Sequence, residues 1–183
     1  MPNSRLPAAL IEVATIPTLK SRSSQGDIEA QTELAKRYYF GKDIEQDYEQ
    51  ALYWCEKAAA KDFPRALYRL GVMYYLGNGV EQNIQMAFEY TEKSAELGFP
   101  AAQHNLGCFY NEGIGVPQDF ELAFSWTEKA ANKGIIEAEF SLAEYYENGI
   151  GVEKNLPEAL TWYEKAAEDN HPGALFADRK SVV

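Results

Sequence analysis

Chemistry in a protein needs nucleophiles, bases or metal ligands, and this 183-residue chain offers few: two histidines, two cysteines and many carboxylates. His104 lies where related segments carry Thr32, Tyr68 and Phe140, and it is read as a surface or groove histidine without a metal-ligating partner. His171 precedes Pro172 in a turn and is expected to be solvated. Cys55 and Cys108 are too few for a disulfide framework and lack zinc spacing, so both are expected to be free, partly buried thiols. Carboxylate pairs such as Glu144 and Glu147 read as a solvated helix face rather than an acid–base pair. The Gly-x-Gly sequences at 77–79, 113–115 and 149–151 follow helical patterns rather than strands, which makes them turns and not phosphate loops. No catalytic residue, cofactor site or metal site is expected.

The elements that would position any site are set by an internal repeat. Leu34, Leu70, Leu106 and Leu142 are each 36 residues apart, as are Tyr38, Tyr74, Tyr110 and Tyr146 and also Gly41, Gly77, Gly113 and Gly149. Ala51, Ala87, Ala123 and Ala159 keep the interval, and Trp54, Tyr90, Trp126 and Trp162 stay aromatic. The copies are 30–65, 66–101, 102–137 and 138–173, without insertion or deletion. Residues 1–29 read as an arm (whose order over 1–12 the sequence leaves open) followed by a degenerate capping half-repeat. Residues 174–183 read as a capping helix.

Each copy reads as two helices. Ala66, Leu70 and Tyr74 recur every four residues and make one buried stripe on a first helix. Glycine then ends that helix, since it readily takes the positive φ of a C-cap. Asp47, Asn83, Asp119 and Asn155 start the second helix as N-caps. The second helix of the first copy is expected to bury Ala51, Leu52, Trp54, Cys55, Ala58 and Ala59, and Trp126 is expected to be buried likewise. In the first copy Lys42-Asp43-Ile44 replaces the usual x-Gly-Val, so its turn is expected to differ. One helix pair cannot bury both faces, so the copies must stack.

The Leu-Gly-x-x-Tyr series (Leu70-Gly71 to Tyr74, Leu106-Gly107 to Tyr110), the Gly-x-Gly-Val turns, the Ala-x-x-Trp helix and the Lys-Ala-Ala endings resemble the Sel-1-like repeat family, a branch of the tetratricopeptide superfamily. The resemblance implies an all-α fold, a right-handed α-solenoid of stacked helix-turn-helix repeats, and a role in protein–protein interaction. It implies no enzyme. The cysteine-rich branch of that family is not matched, because Cys55 and Cys108 do not repeat.

Residues opposite the core stripe on the first helices are the expected partner-binding groove. They are Tyr39 and Phe40, then Tyr68, Val72, Tyr75 and Leu76, then His104, Asn111 and Glu112, then Phe140, Glu144 and Glu147, with Thr32, Lys36, Cys108 and Asn148 in the same columns. These columns vary while the core columns do not, so packing does not dictate them. The groove is apolar in the first two copies and acidic in the last two.

Composition narrows the partner. Seventeen basic against 28 acidic residues give a net charge of −11, which disfavours nucleic acid and anionic membrane surfaces. Copy four alone carries eight acidic and two basic residues, or −6. With 46% hydrophobic residues the chain can bury a full core, yet no apolar run is long enough to span a bilayer, and Pro7, Glu12 and Pro17 break any secretory signal. The expectation is a cytoplasmic scaffold or adaptor holding a protein or peptide with a basic, partly apolar segment. The alternative is an immunity-type protein that neutralises a basic toxin by tight one-to-one binding.

Overall fold

The computed structural model describes residues 8–11 and 13–168, and the expected helix at 174–183 lies outside them. Two helices, α1 (Ala8–Ile11) and α2 (Ile16–Ser24), precede four helical hairpins. These are α3 (Ile28–Phe40) with α4 (Tyr48–Ala59), α5 (Pro64–Leu76) with α6 (Ile84–Glu96), α7 (Pro100–Glu112) with α8 (Phe120–Ala131), and α9 (Ile136–Asn148) with α10 (Leu156–Glu168). The chain forms two compact units, one through Ser94 and one from Ala95 onward. In the first, α3 packs on α2 and α4, and α4 on α5; in the second, α8 packs on α7 and α9, and α9 on α10.

The 36-residue interval reappears as hydrogen bonds. Left-handed Gly41, Gly77, Gly113 and Gly149 end the first helices, and the next amide turns back to the helix: Lys42 to Arg37, Asn78 to Met73, Ile114 to Phe109 and Ile150 to Tyr145. The orphan carbonyls of Tyr38, Tyr74, Tyr110 and Tyr146 accept from the amides of Asp47, Asn83, Asp119 and Asn155. Those same four side chains accept from the amides of Gln50, Met86, Leu122 and Glu158, as N-caps should. The first turn does not differ, contrary to the sequence expectation. Asp43 adopts φ 61°, like Gly79 and Gly151, and its carboxylate holds the Arg37 guanidinium at 2.6 Å. The turn survives without glycine because the stretch Val13–Pro17 leaves a recess beside Asp43, whereas Gly79 abuts the Tyr48 carbonyl.

Within each unit the core lies between packed helices. Leu34, Leu70, Leu106 and Leu142 are buried, as are the alanines at 30, 66, 102 and 138 and at 51, 87, 123 and 159. Gly71 and Gly107 sit where an added Cβ would lie 2.5 Å from the Thr91 and Thr127 hydroxyls. In copy one the pair is Ala35 with Cys55, so Cys55 is a packing residue of this column, fully buried, whereas copy four holds Ala143 and the larger Tyr163. The aromatic column corrects the sequence reading: Trp54 and Trp126 are only half-buried, as are Tyr90, Trp162 and Leu52. Two of the rings meet lysines, Lys129 Nζ lying 3.7 Å from the Trp126 ring centre and Lys165 Nζ 4.6 Å from that of Trp162.

The first-helix column Gln31, Leu67, Gln103 and Glu139 sets a buried amide against the preceding helix in two copies. Gln31 Nε2 donates to the Ser23 carbonyl at 3.0 Å, and Gln103 Nε2 to the Ala95 carbonyl at 3.2 Å. Lys61 reaches the Gly26 carbonyl as Lys133 reaches that of Gly98, so α2 meets α3 through the bonds that a second helix makes with the next repeat. Glu139 occupies the same column but cannot donate. Its carboxylate is 0% exposed and receives no hydrogen bond, although Lys165 Nζ approaches Oε1 at 2.8 Å. Lys165 also takes the Ala131 carbonyl, at 3.5 Å. Glu139→Gln is therefore expected to stabilise the protein by about 1 kcal/mol in urea unfolding, because a buried carboxylate becomes an amide able to donate to the Ala131 carbonyl. A loss of stability would mean that the Lys165 pair outweighs the burial of charge.

Candidate protein-binding faces

Each unit presents the outer side of two first helices. In the first unit these are α3 and α5. Phe40 and Leu76 stand out at 60% and 53% exposure, while Tyr68, Val72 and Tyr75 are half-buried. Thr32 is buried with its hydroxyl donating to the Ile28 carbonyl, and so offers nothing to a partner. Tyr39, expected in the groove, is only 8% exposed. Its ring meets Phe40 and Tyr48 edge-on at 5.0 and 5.3 Å, and its hydroxyl accepts from Asn78 Nδ2 at 2.9 Å. Tyr39 is thus a support beneath the surface, covered by groups from its own turn and the next hairpin.

In the second unit the face belongs to α7 and α9. Glu112, Glu144 and Glu147 are exposed, and His104, Asn111 and Phe140 are half-buried. Tyr163 of α10 joins them, its hydroxyl donating to Glu147 Oε2 at 2.7 Å and its ring 5.5 Å from that of Phe140. Burial, then the Glu147 carboxylate, pushes the Tyr163 phenol up, so it stays a donor across the physiological range. Sequence reasoning missed Tyr163 because its column is otherwise Cys55, Thr91 and Thr127.

The reading of His104 as partnerless is corrected. Cys108, one turn on, places Sγ 3.9 Å from His104 Nε2. Burial raises the thiol and lowers the imidazole, with Glu112 adding to the first effect and Glu137 opposing the second. The pair is therefore neutral at pH 7 and carries no thiolate–imidazolium nucleophile. Burial likewise pushes the Cys55 thiol up to about 12, with Arg69 opposing. Both cysteines are free. Among the described residues no three His, Cys, Asp or Glu side chains are placed to hold a metal ion, and no helix is long and apolar enough to cross a membrane.

Charge separates the two faces more sharply than the sum over each copy does. Helix α3 carries two acidic and two basic residues, and α5 two arginines with no acid, so this pair is +2. Helix α7 carries Glu112 alone, and α9 carries Glu137, Glu139, Glu144 and Glu147, so that pair is −5. Three of the four acids of copy two, Glu89, Glu92 and Glu96, sit on its second helix, and Glu81 lies in the turn before it.

A family model described as Sel1 repeat matches four times, at residues 28–63, 64–99, 100–135 and 136–171. No curated protein matches. Among solved structures, a Sel1 repeat protein from Oxalobacter formigenes is 37% identical with a TM-score of 0.81, over 88% of this chain and 47% of that one. A protective antigen present in uropathogenic Escherichia coli strains and displaying an SLR fold is 35% identical with a TM-score of 0.83, over 88% and 34%. An immunity protein from Pseudomonas aeruginosa is 27% identical with a TM-score of 0.61, over 96% and 62%. The chain thus spans about half and about a third of the length of the first two. The all-α solenoid class expected from the repeats is the class these neighbours share.

Proposed function

The chain belongs to the Sel1 repeat family, and from that premise we propose that it is a non-enzymatic protein–protein interaction scaffold whose first-helix faces hold its partner. Sel1 repeats commonly mediate protein–protein interaction, and the Cys108–His104 pair is held neutral by burial. The observation that carries the reading is the trio Glu112, Glu144 and Glu147, exposed beside half-buried Phe140 on two helices that carry no basic residue. Such a face suits a basic, partly apolar segment of a protein or peptide, with the carboxylates steering its approach. The same charge disfavours nucleic acid. Two free cysteines suit a reducing compartment, and we place the protein in the cytoplasm.

The test is titration with an amphipathic lysine–leucine peptide. Affinity is expected to fall about tenfold for the double variant Glu112→Gln, Glu144→Gln, and to weaken steeply with added salt. Both side chains are exposed, so the variant should fold as the parent does. Binding that ignores both the variant and the salt would sink the acidic-face reading.

A second reading is supported by the likeness to the P. aeruginosa immunity protein: neutralisation of a basic toxin. A one-to-one complex of nanomolar or better affinity would select it over an adaptor with several weaker partners.

A further inference from the structure

We propose that the α3–α5 face of the first unit docks a side-chain carboxylate carried next to an apolar residue of a partner protein, with Arg69 as the group that reads the carboxylate. The occupant is thus opposite in charge to the one proposed for the second unit.

Arg69 sits on α5, and its guanidinium carbon lies 5.0 Å from the Tyr39 ring centre and 5.1 Å from that of Phe40 on α3. The two rings meet at 79° and form a corner around the cation. Tyr39 is fixed there by Tyr48 and by the Asn78 hydrogen bond, so the corner is held before any partner arrives. The ring faces supply electron density but no negative charge, and no carboxylate of the described residues pairs with Arg69. A half-buried guanidinium with rings for company and no counter-ion keeps its fork of donors for a carboxylate.

The repeat does not require this arrangement. In the Arg69 column the other copies carry Glu33, Asn105 and Ser141, and in the Phe40 column Leu76, Glu112 and Asn148. Within the two described units, the α3–α5 pair combines a cation with an aromatic corner, and the α7–α9 pair carries Ser141 and Glu112 at the matching positions. The nearest acid on α3, Glu33, is buried and spent on Arg37 at 2.6 Å. Val72 and Leu76 follow Arg69 by three and seven residues on α5, so they line the same side of the helix. With exposed Phe40 they make the apolar flank beside the cation, and the helix pair is net positive in a chain of net charge −11. Charge complementarity therefore selects an acid flanked by an aliphatic or aromatic side chain.

The proposal rests on the scaffold reading but not on the acidic face, and the experiment separates the two. The probes are octapeptides, acetylated and amidated so that no terminal charge remains, with one Glu or Asp between Leu and Phe residues. A matched series carries Gln or Asn instead. By fluorescence anisotropy the acidic series is expected to bind at least about tenfold tighter than its amide match. Arg69→Gln should bring the two series within about twofold, and Arg69→Lys should lose part of the preference, since an ammonium cannot form the bidentate pair. Phe40→Ala, at an exposed site, should weaken both series while leaving thermal unfolding unchanged. The Glu112→Gln, Glu144→Gln variant should leave the acidic preference intact. No retention of either series, equal retention of both, or a preference that survives Arg69→Gln would each overturn the proposal. Binding of the lysine–leucine peptide with no binding of the acidic series would remove this inference and leave the scaffold standing.

Discussion

Gly151→Ala is expected to cost about 3–5 kcal/mol in urea unfolding, whereas Gly134→Ala, also at positive φ, is expected to cost about 1–2 kcal/mol. Both glycines sit in left-handed backbone, at φ 66° and 77°. An alanine at either therefore suffers the same conformational penalty. They differ in what a methyl group would meet. At Gly134 nothing lies within 4 Å of the added Cβ. At Gly151 the Cβ would overlap the Phe120 carbonyl, with the Glu121 amide 3.0 Å away. Those atoms are backbone at the start of α8, so no side chain can rotate aside, and the turn must separate from the preceding hairpin. Equal losses at the two sites would show that the turn has room to move. The contrast also explains the sequence: Asp43, which faces a recess instead of a carbonyl, is where the chain dispenses with glycine.

What the sequence made legible was whatever one repeat shares with the next. Equal spacing identified the helix pairs, the caps at Asp47, Asn83, Asp119 and Asn155, and the leucine and alanine columns that prove to be buried. Register alone does not say what a neighbouring hairpin covers. Tyr39 points away from its own stripe and is nevertheless buried, because Tyr48 and Asn78 close over it. Tyr163 joins a face formed by first helices only because α10 packs on α9. Charge suffered in the same way. A sum over each copy mixes two helices, and copy two looks acidic while its first helix carries Arg65 and Arg69 with no acid. Arg69 could have been noticed as the lone cation in a column of Glu33, Asn105 and Ser141, but its aromatic partners lie in the other hairpin.

Two chemically distinct faces would give the proposed scaffold a means of discrimination that one acidic groove would lack. On that proposal a partner engaging only the α7–α9 side carries basic residues, and one engaging only the α3–α5 side carries an acid beside an apolar group. Screening by salt should weaken the acidic side more, since its carboxylates are exposed while Arg69 is half-buried.

Leu106→Ala is expected to cost about 3–5 kcal/mol, more than Trp126→Ala, although tryptophan is the larger side chain and holds a more conspicuous column. Leu106 is 0% exposed on α7, and removing its branched end leaves a void whose walls belong to packed helices. Collapse around that void would require α7 and α8 to shift together, against the turn bonds from Ile114 and Asp119 that fix their spacing. Trp126 is half-buried, with the Lys129 ammonium 3.7 Å from the ring centre on its outer side. Truncation there exposes a shallow surface that water and the Lys129 stem can fill, so about 1–3 kcal/mol is expected from the apolar area lost and the cation contact removed. Urea unfolding of the two single variants measures the order directly. If Trp126→Ala proved the costlier, the aromatic column would be acting as core and the half-burial seen here would be the wrong guide. If Leu106 leads, the repeated tryptophan is a cover over the second helix, and the leucine–alanine stripe beneath it holds the hairpins together.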